Sequence, residues 1–402
     1  MPTIEFDEVG HPVCSIVILA WRLTDVLIEC LQSIAASVDA PAYEVVIVLN
    51  GATGEVRQTI AEGVSGARLV DLAHNVGFGG GCNAGASVSR GEYIVFLNDD
   101  TIVEPNWLRT LHAAAADAPE VGAVASVLLN VDGTLQEAGS RVREDTGTVQ
   151  FGRGLTLAEA EARGLLVVRS IDYGSAAAVL VRASAFRELS GFDPVYEPAY
   201  FEDVDLQFRL KAAGYDVVLE PAARVVHRSG ASTDASPVYR SWAHAHSKEF
   251  FRERWAAVLA TAPAEDAPVS ALCVIEPQPD LVNGGRPLST AAEISAGAAV
   301  TALSMAQGFG EWSAAHYEEA LADYLRVEKL YYDTEALWSK RVDKLSDLLE
   351  ERAVRIAELE STVDELTVEA DRLHDLNTRS PVGIAKWQAG QAIARIRRGR
   401  TE

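Results

Sequence analysis

The 402-residue chain carries 58 acidic against 35 basic side chains, for a net charge of −23, and 48% of it is hydrophobic. That balance excludes general nucleic-acid binding, which needs basic patches against phosphate, and the length allows one large domain or two ordinary ones. The four cysteines (Cys14, Cys30, Cys82, Cys273) lack any CxxC or regular spacing and read as core residues in a reducing compartment. No apolar stretch approaches the length of a spanning helix. Met1 to Asp7 is acidic and lacks a basic leader, so a cytoplasmic protein is expected.

Strands and helices alternate from the start. Val13 to Ala20 reads as a strand, and Thr24-Asp25 caps a helix with Val26, Leu27, Cys30, Leu31 and Ile34 at helical spacing. Tyr43 to Leu49 is a second strand, stopped by Asn50-Gly51. A polar helix from about Gly54 to Glu62 and a strand from Ala67 to Leu72 follow. Such alternation predicts right-handed crossovers and a mostly parallel sheet, with ligands beyond the carboxyl ends of its strands.

The stretch Asn75-Val76-Gly77-Phe78-Gly79-Gly80-Gly81-Cys82-Asn83-Ala84-Gly85 opens the next helix. It fits G-x-G-x-x-A, but it follows the third strand, and the next strand ends in two acids where a dinucleotide ribose needs one. It is read as close backbone approach to a nucleotide with Asn75 and Asn83 as polar contacts, or as a turn without a ligand.

Tyr93-Ile94-Val95-Phe96-Leu97 then runs into Asn98-Asp99-Asp100. Carboxylates cannot continue unpaired into a core, so the strand ends here at a rim. The pair suits a hard cation, Mn²⁺ or Mg²⁺, that also holds phosphate oxygens, or it is a polar turn that stops a strand.

A helix from Pro105 to about Ala116 and a strand from Val121 to Leu129 follow, then an aperiodic insertion from Asp132 to Leu166. Tyr173 to Val181 is a strand of small residues. Tyr200 to Tyr215 is a helix with acids Glu202, Asp203 and Asp205 in its first turn. They serve either the helix dipole or proton transfer. Asp216 to Leu219 and Ala223 to His227 are extended, and His227 is a candidate third metal ligand.

The ordered set of motifs resembles the family 2 inverting glycosyltransferases of GT-A fold, particularly rhamnosyltransferase-like and galactofuranosyltransferase-like members. The matching pieces are Ser15–Leu19, Asn75–Gly85, Phe96–Thr101, Gly191-Phe192-Asp193, Phe201–Leu206 with Arg209, and Val226–Ser232, so the resemblance covers roughly residues 12 to 255. It implies a Rossmann-like α/β fold, a nucleotide-sugar donor and a saccharide or lipid-linked acceptor of cell-surface polysaccharide or glycolipid synthesis.

Residue by residue, it implies that Asp100 and His227 hold the metal, with Asp99 nearby, and that Asn98 serves the ribose or a metal-bound water. Asp203 matches the base, with Glu202 second. Asp205 and Arg209 read as supporting residues. Donor contacts fall on Ala20, Arg22, Asn50, Asn75, Gly79 and Asn83. Leu49 and Ala20-Trp21-Arg22 depart from the family pattern, which leaves uridine and deoxythymidine donors open, with dTDP-rhamnose favoured by the Gly-Phe-Gly loop. A different class of reading is a non-catalytic sugar-nucleotide-binding scaffold acting through a coiled coil.

Beyond the catalytic domain (1–255), residues 256–290 read as a linker with a short strand at Ala271–Ile275. Residues 291–380 read as helical. A heptad from Val342 has Val342, Leu349, Ile356, Val363 and Ala370 at a and Leu345, Arg352, Leu359, Leu366 and Leu373 at d, with Arg352 the one clear break. It predicts a homodimeric coiled coil, or one helix packed back. The basic tail 381–402 is either a peripheral contact to anionic lipid at the inner membrane face or a disordered end.

Overall fold

The computed structural model describes residues 3–228, 237–278 and 287–313, with scattered positions from 316 to 361. The chain divides into two units, Met1–His316 and Tyr317–Glu402. The heptad and the basic tail lie almost wholly outside the described residues.

The first half runs β1 (Ile4–Glu5), β2 (Cys14–Ala20), α1 (Thr24–Ala35), β3 (Tyr43–Asn50), α2 (Gly54–Gly63), β4 (Val64–Ser65), β5 (Arg68–Leu72), α3 (Gly77–Val88) and β6 (Tyr93–Asn98). Next come β7 (Thr101–Val103), α4 (Trp107–Ala116), β8 (Val121–Leu129), β9 (Leu135–Glu137), β10 (Ser140–Val142), β11 (Thr148–Gln150), α5 (Leu157–Ala162) and β12 (Arg169–Ser170). Then follow β13 (Ala178–Arg182), α6 (Ala183–Glu188), α7 (Glu202–Ala212), β14 (Asp216–His227) and α8 (Pro237–Arg254).

The main sheet has the order β12-β14-β8-β13-β6-β2-β3-β5. β5, β3, β2 and β6 are parallel, as the alternation predicts. β13 runs antiparallel to both β6 and β8, so the other half is mixed. β2, β3 and β6 are buried on both faces, while the edge strand β5 buries only Val70 and Leu72. Val17, Val46, Val48, Ile94 and Phe96 join α3, α6 and α7 in one cluster. Ile16, Ile18, Val45, Ile47 and Val95 join α1, α2 and α4 in the other. Helices therefore cover both faces, and each buried side chain contributes about 1.5–3 kcal/mol of apolar transfer.

Ala20, Leu49, Asn50 and Asn98 end at one edge because β2 pairs in register with β3 and β6. That edge carries the site.

Two expectations fail locally. The strand foreseen from Tyr173 begins at Ala178, because side chains from distant elements take the backbone donors before it. Gln207 binds both Gly174 N and Gly174 O, Glu137 accepts from Ser175 N, and Asp203 accepts from Ala176 N. Residues 271–278 hold no strand, and the 256–278 stretch is not a free connector. The buried Arg141 guanidinium donates to the carbonyls of Glu265, Ala267, Pro268 and Ala271, and Asp172 accepts from Cys273 N. With its carbonyls and N–H groups taken up this way, the segment lies against the domain rather than pairing as a strand.

Candidate active site

Asp99 and Asp100 form the turn between β6 and β7. β7 then pairs antiparallel with the end of β14, Val103 against Val225 and Thr101 against His227. That register sets His227 beside Asp100, with Nε2 to Oδ1 at 3.2 Å. Asn98 Nδ2 lies 3.3 Å from the same Nε2, and the Gln136 Oε1 lies 2.8 Å from Nδ1.

Asp100 is 2% exposed and neither of its carboxylate oxygens has a hydrogen-bond partner. A buried carboxylate without partners is costly. A divalent cation between Asp100 and His227 satisfies it, so the residues fit such an ion. Among the described residues no group of three His, Cys, Asp or Glu side chains converges on a metal position. Asp100 and His227 would be the two protein ligands of such an ion, a number that suits a hard cation with open positions. Burial, then the neighbouring Asp100, pushes the Asp99 carboxyl up to about 7.

Asp203 stands in the first turn of α7. Tyr200 and Phe201 before it lie in the left-handed region, at φ 77° and 66°. Such backbone persists only where packing overdetermines it, and Phe201 is buried against Phe251 and His244. Asp203 accepts hydrogen bonds from Ala176 N at 3.1 Å and Val204 N at 2.9 Å. Burial raises its pKa while those two donors pull it back. Asn98 N donates to Ala177 O. Asn98 and Asp203 are thus fastened to adjacent residues at the mouth of β13.

Glu202 is placed differently. It is buried, its Oε2 has no partner, and burial raises its pKa well above the ordinary carboxylate value. Its Cβ lies 3.9 Å from where a Gly79 Cβ would stand. Asp205 is wholly enclosed and accepts from Arg209, Tyr196, Arg254 and Trp255. Together with Arg209, which donates to Leu189 O and Gly191 O, it anchors α7.

The donor-contact candidates divide. Asn50 donates to Gly77 O and accepts from Val76 N, and Asn75 accepts from Gly77 N, so both hold the entry to α3. Asn83 exchanges two bonds with Phe192. The glycine stretch is helix, not loop, and its missing side chains make room for protein. A Cβ on Gly85 would stand 2.4 Å from Val17 Cγ1, and one on Gly79 3.1 Å from Phe192 Cβ. Gly81 and Gly85 face the sheet, where an added Cβ would meet Leu19, Val17 and Val48. Ala20 is buried, and the exposed Arg22 lies over the Trp21 ring.

Sequence reasoning missed Gln136 and Glu137. β9 folds back antiparallel on β8. Gln136 reaches His227, while Glu137 accepts from Ser175 N and Ser140 Oγ. Two adjacent residues thereby reach the His227 end and the Asp203 end of the site.

The family model described as "Glycosyl transferase family 2" matches residues 15–176. A relative in Myxococcus xanthus named O-antigen biosynthesis protein RfbC is 32% identical over 249 residues, which is 58% of this chain and 19% of that protein. A Mycobacterium tuberculosis protein named N-acetylglucosaminyl-diphospho-decaprenol L-rhamnosyltransferase is 27% identical, over 55% of this chain and 78% of that protein. Among solved structures, a Pyrobaculum calidifontis mannosyltransferase in complex with GDP-Man and Mn²⁺ superposes with a TM-score of 0.45 at 16% identity, over 77% of each chain. The match to the family model falls on residues 15–176, from the first strand of the main sheet to the stretch before β13. It spans 19% and 25% of the length of the first two relatives.

Proposed function

We propose that the protein is a metal-assisted inverting glycosyltransferase. It moves a sugar from a nucleoside diphosphate donor, dTDP-rhamnose or a UDP-sugar, to a saccharide or lipid-linked acceptor of cell-surface polysaccharide or glycolipid synthesis. The observation that carries this reading is the unpartnered buried carboxylate of Asp100 facing His227, with Asp203 fastened to the next strand.

Asp100 and His227 would hold Mn²⁺ or Mg²⁺, which neutralises charge on the leaving diphosphate. Asp203 takes the proton of the acceptor hydroxyl as that oxygen attacks the anomeric carbon from the side opposite the leaving group. One displacement inverts the anomeric centre and needs no second nucleophile. The raised pKa of Asp203 suits it to receive that proton. Asn50, Asn75 and Asn83 act by fixing α3 and the Phe192 turn. The catalytic unit extends through the tied-down 256–278 segment, and the protein works in the cytoplasm at the membrane face. No helix among the described residues is long and apolar enough to cross a membrane.

The test is Asp203→Asn. Transfer should fall by about 10²–10⁴ while nucleoside diphosphate binding with Mn²⁺ persists. Full activity in the variant would remove the base assignment.

A further inference from the structure

We infer that Gln136 is a positioning residue that holds His227 as its Nδ1–H tautomer and turns Nε2, as a bare lone pair, toward Asp100. The inference rests on the metal-site reading above. It follows from a chain of hydrogen bonds whose direction is fixed at each step. Asn130 Nδ2 donates to Leu135 O, a carbonyl that can only accept, and to Thr134 Oγ1. Asn130 Oδ1 is therefore the atom that faces Gln136, and Gln136 Nε2 donates to it at 3.2 Å. The same Nε2 donates to His227 O at 3.0 Å, another obligate acceptor. The Gln136 carboxamide has one orientation, with Oε1 toward His227 Nδ1 at 2.8 Å. An amide oxygen only accepts, so Nδ1 carries the proton.

At the other ring nitrogen the Asn98 Nδ2, which can only donate, stands 3.3 Å from Nε2, so Nε2 is the acceptor there and points at the unpartnered Asp100. Two lone-pair donors facing each other at 3.2 Å attract a cation and repel without one. A metal-bound imidazole whose second nitrogen donates to an oxygen is a more basic and better-aimed ligand. Glutamine is specific here. A glutamate could accept from Nδ1 but could not donate to His227 O or Asn130 Oδ1.

That difference supplies the test, made on the full chain by electron paramagnetic resonance titration of Mn²⁺ in the presence of UDP or dTDP. Gln136→Leu and Gln136→Glu both lose the bond to the His227 carbonyl, and only Gln136→Glu keeps an acceptor for Nδ1. Gln136→Leu should weaken Mn²⁺ binding by about 10–100-fold, while Gln136→Glu stays near wild type. An unchanged Gln136→Leu, or a Gln136→Glu as weak as Gln136→Leu, overturns the inference, since the glutamine would then only tie β9 to β14. Nitrogen-15 histidine spectra of the wild-type chain, assigned with His227→Asn, should show the His227 Nδ1–H form; the Nε2–H form overturns the inference. If wild type takes up no Mn²⁺, the metal-site reading fails, and the histidine spectrum still decides the tautomer.

Discussion

Asp100 Oδ1 and His227 Nε2 face each other at 3.2 Å, and no hydrogen bond joins them. The β7–β14 pairing fixes this approach, so the chain holds two electron-rich atoms together in a buried place.

Asp100→Asn should separate two quantities. It removes a negative charge beside Asp99, whose pKa that charge helps to raise. The metal-free variant should melt as high as wild type or a few degrees higher, on the order of 1 kcal/mol. The rise in melting temperature given by Mn²⁺ with a nucleoside diphosphate should disappear. Differential scanning calorimetry with and without Mn²⁺ reads both.

Glu197 gives a pH dependence of stability. Burial, then Asp193, pushes its carboxyl from 4.5 up to about 8. The folded chain therefore keeps a proton that the unfolded chain gives up between pH 4.5 and about 8. Stability falls as pH rises through that window and is level above it, where both states are ionised. Glu197→Gln removes the effect. Its melting temperature should gain on wild type by a few degrees between pH 5 and 8 (the span roughly of the window). Parallel melting curves across that range would refute the assignment.

Gly85→Ala tests why α3 is rich in glycine. The added Cβ meets Val17 Cγ1 at 2.4 Å and Val48 Cγ2 at 2.9 Å, both in the close-packed sheet. Overpacking should cost about 1–3 kcal/mol in chemical denaturation. Alanine's better helix propensity would otherwise stabilise an ordinary helix position by about 1 kcal/mol, so the sign of the change decides the matter.

Much of the site was legible in the sequence. An apolar run ending in Asn98-Asp99-Asp100 announces a strand end with carboxylates at the rim, and that is where they stand. The alternation of strands and helices gives the parallel half of the sheet. What the glycines of α3 pack against was not legible, because a missing Cβ does not reveal what fills its space. Here that filler is Val17, Val48 and Phe192. Gln136 and Glu137 were invisible because they matter only once β9 turns back on β8, in a segment with no periodicity. The delayed start of β13 could not be foreseen either, since Gln207, Glu137 and Asp203 reach its backbone from distant positions.

The most direct test of a metal-assisted nucleotide-sugar site is a thermal-shift screen of UDP-, dTDP- and GDP-sugars, each with and without Mn²⁺, on wild type and Asp100→Asn. At saturation, near a hundred times Kd, a bound donor adds about 2.7 kcal/mol to stability. At least one sugar nucleotide should raise the melting temperature only with Mn²⁺, and Asp100→Asn should abolish that rise. No shift with any sugar nucleotide, or a shift that is indifferent to Mn²⁺ and to Asp100, would contradict it.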